Sequence, residues 1–231
     1  MSPTASPSSK SARAPCCVIV GAGPGIGHAV ALAFAHEGCN LALLARRPER
    51  LAGTCDEIHT KTGRQSRAYA ADAADADSLI CGLDAAHADF GDVDVLVYNV
   101  ATHERGRPLQ VPVDRLVDDF RINVVGALVA ARAVAPAMVE RHSGTILFTG
   151  GGFAYEPAAD YASLSMDKAA LRSLTYTLAQ ELGTHGVHVA TVTVHGFVQH
   201  GTRFDPSRIA GAFIALHRQP KGHFDIETVY K

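Results

Sequence analysis

A chain of 231 residues with 47% hydrophobic content can bury one substantial core and needs no second domain. Its 21 Lys and Arg stand against 23 Asp and Glu, a formal charge of -2, so there is no basic field for nucleic acid or for an anionic membrane, and the expected partner is a small molecule. Five cysteines without paired metal-type spacing speak against a metal site and a disulfide framework, and suit buried thiols in a reducing cytoplasm.

Residues 1–14, MSPTASPSSKSARA, are rich in Ser, Pro and Ala and hold no apolar segment. They read as neither signal peptide nor membrane span, and a disordered arm is expected, leaving 15–231 as a single domain. From there, short β-branched or apolar runs alternate with longer helical stretches. The runs are CCVIV (16–20), NLALLA (40–45), SRAYAA (66–71), VDVLVYNV (93–100), GTILFTG (144–150), VHVATVTV (187–194) and DIETVY (225–230). Helical spacing covers 26–38, 48–62, 75–90, 112–141, 161–185 and 206–217, with Leu171, Leu174, Leu178 and Leu182 as one apolar stripe. This alternation predicts a doubly wound α/β fold, a mostly parallel seven-stranded sheet with helices on both faces.

Directly after the first run comes GAGPGIG. It does not match G-x-G-x-x-G, but it does match G-x-x-x-G-x-G at Gly21, Gly25 and Gly27. Glycines at a strand-to-helix turn let the backbone approach a pyrophosphate, while the first helical amides, from Ile26 onward, point at its oxygens. A Rossmann-type dinucleotide site is therefore expected. The second run ends in Ala45, Arg46 and Arg47, where a site reading the NAD ribose would offer a carboxylate. Without that carboxylate a 2′-phosphate is not repelled, and a guanidinium can bind it in bidentate fashion, so NADP is favoured over NAD.

With these motifs the chain resembles the short-chain dehydrogenase/reductase family over nearly everything from Cys16 onward. The resemblance implies an oxidoreductase acting on a small carbonyl, alcohol or activated double bond. Asp72, with Ala73, matches the acid that holds the adenine amino group. Asn99, Val100 and Ala101 match the turn after the fourth strand, with Ala101 replacing a glycine, and Val198 follows the turn after the sixth strand. Asn123 in RINVVGAL matches the active-site asparagine. Long helices near 112–141 and 161–185 pack against copies of themselves in this family, which implies a homodimer or homotetramer.

The family's proton donor is a tyrosine four residues before a lysine that lowers its pKa and holds the nicotinamide ribose, assisted by a serine on the preceding strand. In YASLSMDKAAL, Tyr161 and Lys168 are seven apart. With Tyr161 in the tyrosine position, Ser165 replaces the lysine and the preceding loop shortens. With Lys168 in the lysine position no gap is needed, but Leu164 replaces the tyrosine and Gly151 the serine. The second register is preferred. Seven residues place Tyr161 and Lys168 on nearly one helix face but about 10.5 Å apart along it, so an unwound first turn would be needed for Tyr161 to serve. His195, in place of a proline after the sixth strand, and His103 with Glu104 are further candidates for proton transfer. Nucleotide-binding residues are retained and proton-delivery residues are lost. Two readings follow: an oxidoreductase with a displaced or substrate-derived proton, or a non-redox enzyme or nucleotide-responsive protein on the same fold.

Overall fold

The computed structural model describes residues 13–102 and 104–231. Seven strands, β1 (Cys16–Val20), β2 (Asn40–Ala45), β3 (Ser66–Ala70), β4 (Val93–Tyr98), β5 (Gly144–Gly151), β6 (Val187–Val194) and β7 (Glu227–Tyr230), form one sheet in the order β3-β2-β1-β4-β5-β6-β7. Every neighbouring pair is parallel. Parallel pairing demands crossover helices, and these cover both faces. Hence β1 and β6 are buried along their whole length; β1 reads as an unbroken apolar run, and the apolar or β-branched run of β6 is interrupted only by His188. The chain runs outward from β1 to β3 and then returns to β4 on the other side of β1. That reversal opens a crevice at the carboxyl ends of β1 and β4.

The helices are α1 (Ile26–His36), α2 (Ala52–Thr62), α3 (Ala76–Phe90), α4 (Val113–Phe120), α5 (Gly126–Glu140), α6 (Ala162–Gly183) and α7 (Pro206–His217). Two helix starts are set locally: Asp75 caps the N-terminus of α3 through the amides of Asp77 and Ser78, and Asp205 caps that of α7 through Ser207, with Pro206 at the first position. On one face of the sheet Val18, Leu44, Leu96 and Phe148 pack with residues of α3, α5 and α6. On the other, Ile19, Leu43, Val97 and Val192 pack with Phe34 of α1 and Phe213 of α7.

Three expectations are corrected. The expected disorder of 1–14 falls mostly on residues 1–12, outside the described residues, but Arg13 is docked. Its guanidinium donates to Asp94 Oδ2 and to the Asp92 carbonyl, both at 2.9 Å, while Asp94 Oδ2 also accepts from the Cys16 amide at 2.8 Å. The start of β1 is thereby fastened to β4. The single helix expected over 112–141 is α4 and α5 joined by a π-turn, Arg121–Val125. This turn leaves a carbonyl without its usual partner, and the buried Tyr98 hydroxyl donates to the Ile122 carbonyl. Gly126 makes room for that hydroxyl, because a Cβ there would overlap it. Finally, α6 begins at Ala162. Tyr161 lies just outside it, with φ −130° and ψ 47°, held in a β-bridge to Gly106. Strand ends also shift inward: β3 stops at Ala70, β4 at Tyr98, and β7 begins at Glu227.

Candidate functional site

The crevice is built first from glycines. Gly21 has φ +84°, and a Cβ on it would come within 3.0 Å of the Asn99 carbonyl, so the β1 and β4 ends touch through bare backbone. A Cβ on Gly27 would overlap the Gly21 carbonyl oxygen, so α1 docks directly on the loop. Gly25 has φ +95°, and nothing lies within 4 Å of where its Cβ would be, which leaves open space beside the first turn of α1. The amides of Ile26 and Gly27 have no intrahelical partner at a helix start. Asn99 knits three strand ends together: its amide group donates to the Gly21 carbonyl at 3.0 Å, its carbonyl oxygen accepts from Thr149 Oγ1 at 2.8 Å, and its backbone N–H reaches the Val20 carbonyl at 2.8 Å.

Of the expected nucleotide-binding residues, Gly21, Arg46, Asp72, Ala73, Asn99, Val100 and Ala101 come together around a cleft of about 260 Å³. Asp72 is fixed there by accepting the Ala74 amide at 3.0 Å, while its own amide donates to Ser78 Oγ at 3.0 Å. Arg46 and Arg47 are exposed, and among the described residues neither has a carboxylate partner. Gly25, Ile26, Gly27 and Arg47 stand beside this cleft rather than on its wall, and Val198 is 46% exposed on the loop after β6, away from it. A larger groove of about 890 Å³ lies on the outer flank between α1, α2 and α7. It meets the cleft residues only at the glycine loop, whereas the smaller cleft gathers most of the expected nucleotide-binding residues.

At the chemical end, Lys168 is buried and its Nζ donates to the Thr149 carbonyl at 2.7 Å. Burial pulls its pKa down to about 8, with the neighbouring Asp167 carboxylate opposing. Gly151 lies against this side chain: a Cβ on it would be 3.3 Å from Lys168 Cγ. Leu164, one turn before Lys168, is half-buried. Asn123 is buried at the π-turn, and its amide is fully used. Oδ1 accepts the Thr102 N–H at 2.8 Å, and Nδ2 donates to Thr102 Oγ1 at 3.0 Å and to Asp167 Oδ2 at 2.7 Å.

Tyr161 is turned to other work. Its ring stacks on Phe153, centroids 5.3 Å apart, and its hydroxyl accepts from Arg105 Nε at 3.0 Å. The imidazole of His195 lies over Gly152, where any Cβ would overlap it, with Nε2 3.4 Å from Glu156. His195 is thus one residue removed from Gly151 and the Lys168 side chain. His103 lies outside the described residues, and Glu104 pairs with Arg115 at 3.0 Å. Thr102, Ile122, Thr149 and Asp167 went unread in the sequence. Of these, only Asp167 carried a signal, a carboxylate directly before Lys168 in the same helix.

Within Val113–Glu140 an 18-residue stretch reaches a mean hydropathy of 1.8, so by length and composition alone this segment could cross a membrane. Its α5 portion instead packs Ala127, Ala130, Ala131 and Val134 into the core.

This arrangement has known counterparts. The family model of the short chain dehydrogenases matches residues 15–204. A very-long-chain 3-oxoacyl-CoA reductase of Aspergillus clavatus is 32% identical over 188 residues, covering 77% of this chain but 52% of that protein, so the chain spans about half the length of that relative. An uncharacterized oxidoreductase of Staphylococcus aureus is 25% identical over 222 residues, 92% of this chain and 94% of its own. Among solved structures, a metagenomic short-chain oxidoreductase in complex with NADP superposes with a TM-score of 0.86 at 28% identity, covering 94% of this chain and 96% of that one. With the glycine turn, Asp72, Asn99, Asn123 and Lys168 set on a seven-stranded parallel sheet, and a family model that spans most of its length, the chain belongs to the short chain dehydrogenase family.

Proposed function

We propose that the protein is an NADP-dependent oxidoreductase acting on a small carbonyl, alcohol or activated double bond, with proton delivery that does not use a tyrosine four residues before Lys168. The observation that carries this reading is the cleft itself. It has no carboxylate at Ala45 and an exposed Arg46 without a carboxylate partner among the described residues, and open space lies beside it at Gly25. NADP, which the solved metagenomic relative holds, would supply or accept the hydride.

The chain's own residues divide the remaining work. Arg46, with Arg47 beside it, meets the 2′-phosphate, Asp72 the adenine amino group, and the amides after Gly25 the pyrophosphate. Asn99, Val100 and Ala101 form the wall toward the reacting end. Lys168 Nζ, with a pKa of about 8, holds a proton that can be released near neutral pH, and His195 is the second proton-bearing group at that end. Tyr161, tied to Arg105 and Phe153, shapes the mouth of the site. The buried thiols of Cys16, Cys17 and Cys39 suit a reducing cytoplasm.

The test pairs binding with turnover. NADPH should raise the melting temperature more than NADH, and NADPH should be consumed with at least one member of a panel of small aldehydes, ketones and enones. A second reading rests on Leu164 and Gly151 standing where a tyrosine and a serine would act: a non-redox or nucleotide-responsive protein. It predicts NADPH binding without consumption across the same panel.

A further inference from the structure

Asp167 is a buried carboxylate for which the proposed reaction has no assigned use. It is 2% exposed and follows directly in sequence before Lys168, itself 7% exposed. Burying a carboxylate costs several kcal/mol unless charge and hydrogen bonds compensate, and here both partners belong to the site. A carboxylate can only accept, so it fixes which end of the Asn123 side-chain amide faces it. Nδ2 turns toward Asp167 at 2.7 Å, which leaves Oδ1 for the Thr102 backbone N–H at 2.8 Å. The opposite orientation would set the Asn123 amino group against the Thr102 N–H, donor against donor. Thr102 lines the nucleotide cleft directly after Asn99, Val100 and Ala101. A carboxylate on α6 thus controls the position of a cleft residue more than sixty positions earlier in the chain.

The charges facing this pair are few. From α4 come Asp119, which accepts from Arg115 Nε at 2.9 Å and Ser163 Oγ at 2.8 Å, and Arg115 itself, also paired with Glu104 of the preceding loop. From β5 only the Thr149 carbonyl meets Lys168. His195, after β6, approaches no nearer than Gly152, next to the Gly151 that touches Lys168. Burial raises the Asp167 pKa, with Asp119 adding to the rise and Lys168 opposing it. Asp167 is also the one charge that opposes the burial of Lys168.

We propose that Asp167 is a positioning residue: through the Asn123 amide it anchors Thr102 in the wall of the nucleotide cleft. This rests on the cleft being the functional site, but its test needs no turnover. Asp167→Asn keeps an acceptor for Asn123 Nδ2, whereas Asp167→Ala removes it. In Asp167→Ala the Thr102 amide should exchange with solvent at least about tenfold faster than in Asp167→Asn, the gain expected from losing a hydrogen bond. Equal Thr102 exchange in the two Asp167 variants overturns the proposal. If Asp167→Asn does not fold, the unaltered protein replaces it as the reference, and equal Thr102 exchange then overturns the proposal in the same way. NADPH that binds but is never consumed would count against the proposed reaction and leave these outcomes readable.

Discussion

At the residue scale, the proposed register puts Leu164 and Gly151 where the family resemblance implies a tyrosine and a serine, and both can be substituted back. Leu164 lies one helical turn, about 6 Å along the axis, before Lys168, whereas Tyr161 sits outside the helix and is held by Arg105. A serine at 151 is sterically cheap, since its Cβ would be 3.3 Å from Lys168 Cγ and that flexible chain can give by a few tenths of an ångström. Leu164→Tyr with Gly151→Ser is therefore expected to raise carbonyl reduction by about 10²-fold, the lower range for a positioned acid, as measured by NADPH consumption. Tyr161→Phe should change turnover only slightly. If Tyr161→Phe abolishes activity, Tyr161 is the acid and the register based on Leu164 is wrong. The proposed reader of the 2′-phosphate is Arg46, the exposed arginine on the cleft wall. Arg46→Ala should weaken NADPH binding by about 1.5 to 3 kcal/mol, the worth of a hydrogen bond to a charged group, with little change for NADH by titration calorimetry. Equal losses for both would mean the arginine does not read the phosphate.

At the element scale, β7 is paired with β6 through its backbone, and one carboxylate ties its side-chain layer to the rest of the domain. Glu227 accepts from Thr193 Oγ1 at 2.5 Å, Arg172 Nε at 2.8 Å, Tyr155 at 2.8 Å and Tyr176 at 3.0 Å, and so joins β6, β7, α6 and the turn after β5. Burial pushes this carboxyl up, but the bonds from Thr193 and the two tyrosines, with the Arg172 charge, outweigh it and hold its pKa below the ordinary 4.5. A carboxyl depressed in the folded state stabilises fully above its unfolded pKa, and that contribution is lost as pH falls through the folded value. Thermal melts from pH 7 down to pH 3 should therefore show Glu227→Gln less stable at neutral pH and losing less on acidification. Parallel curves for the two proteins would remove Glu227 from the acid response. No local pattern marks this cluster, because its members lie up to 72 positions apart.

At the scale of the whole molecule, α4 carries an apolar stripe that none of the described residues fully covers. Val113 is 73% exposed, Val117 51% and Phe120 40%, and Leu109 just before them is fully exposed. Spaced at i, i+4 and i+7, the three helical residues share one face. A patch of this kind marks an interaction surface, and with the long α6 nearby it supports the proposal of a twofold homodimer or a homotetramer. Light scattering at micromolar concentration should give a multiple of the 24.3 kDa chain mass, and Val117→Glu with Phe120→Glu should shift it to a monomer without lowering the melting temperature by more than a few degrees. A monomeric mass for the unaltered protein ends the proposal.

The sequence by itself determined the sheet, the crossover helices and the nucleotide turn. Each of these follows from a local pattern: runs buried on both faces for strands such as β1 and β6, spaced leucines for α6, and glycines at Gly21 and Gly27 where backbones must touch. What only the tertiary structure decided is which polar groups meet. Asn123 and Asp167 are 44 positions apart, Arg105 and Tyr161 56, and Asn99 and Thr149 50. No periodicity encodes such pairs. They form because parallel strands bring distant carboxyl ends to one edge, and because the π-turn after α4 turns Asn123 toward α6. The same reason explains Tyr161: composition marks it as a candidate acid, but the bridge to Gly106 pulls it off the start of α6 and gives its hydroxyl to Arg105.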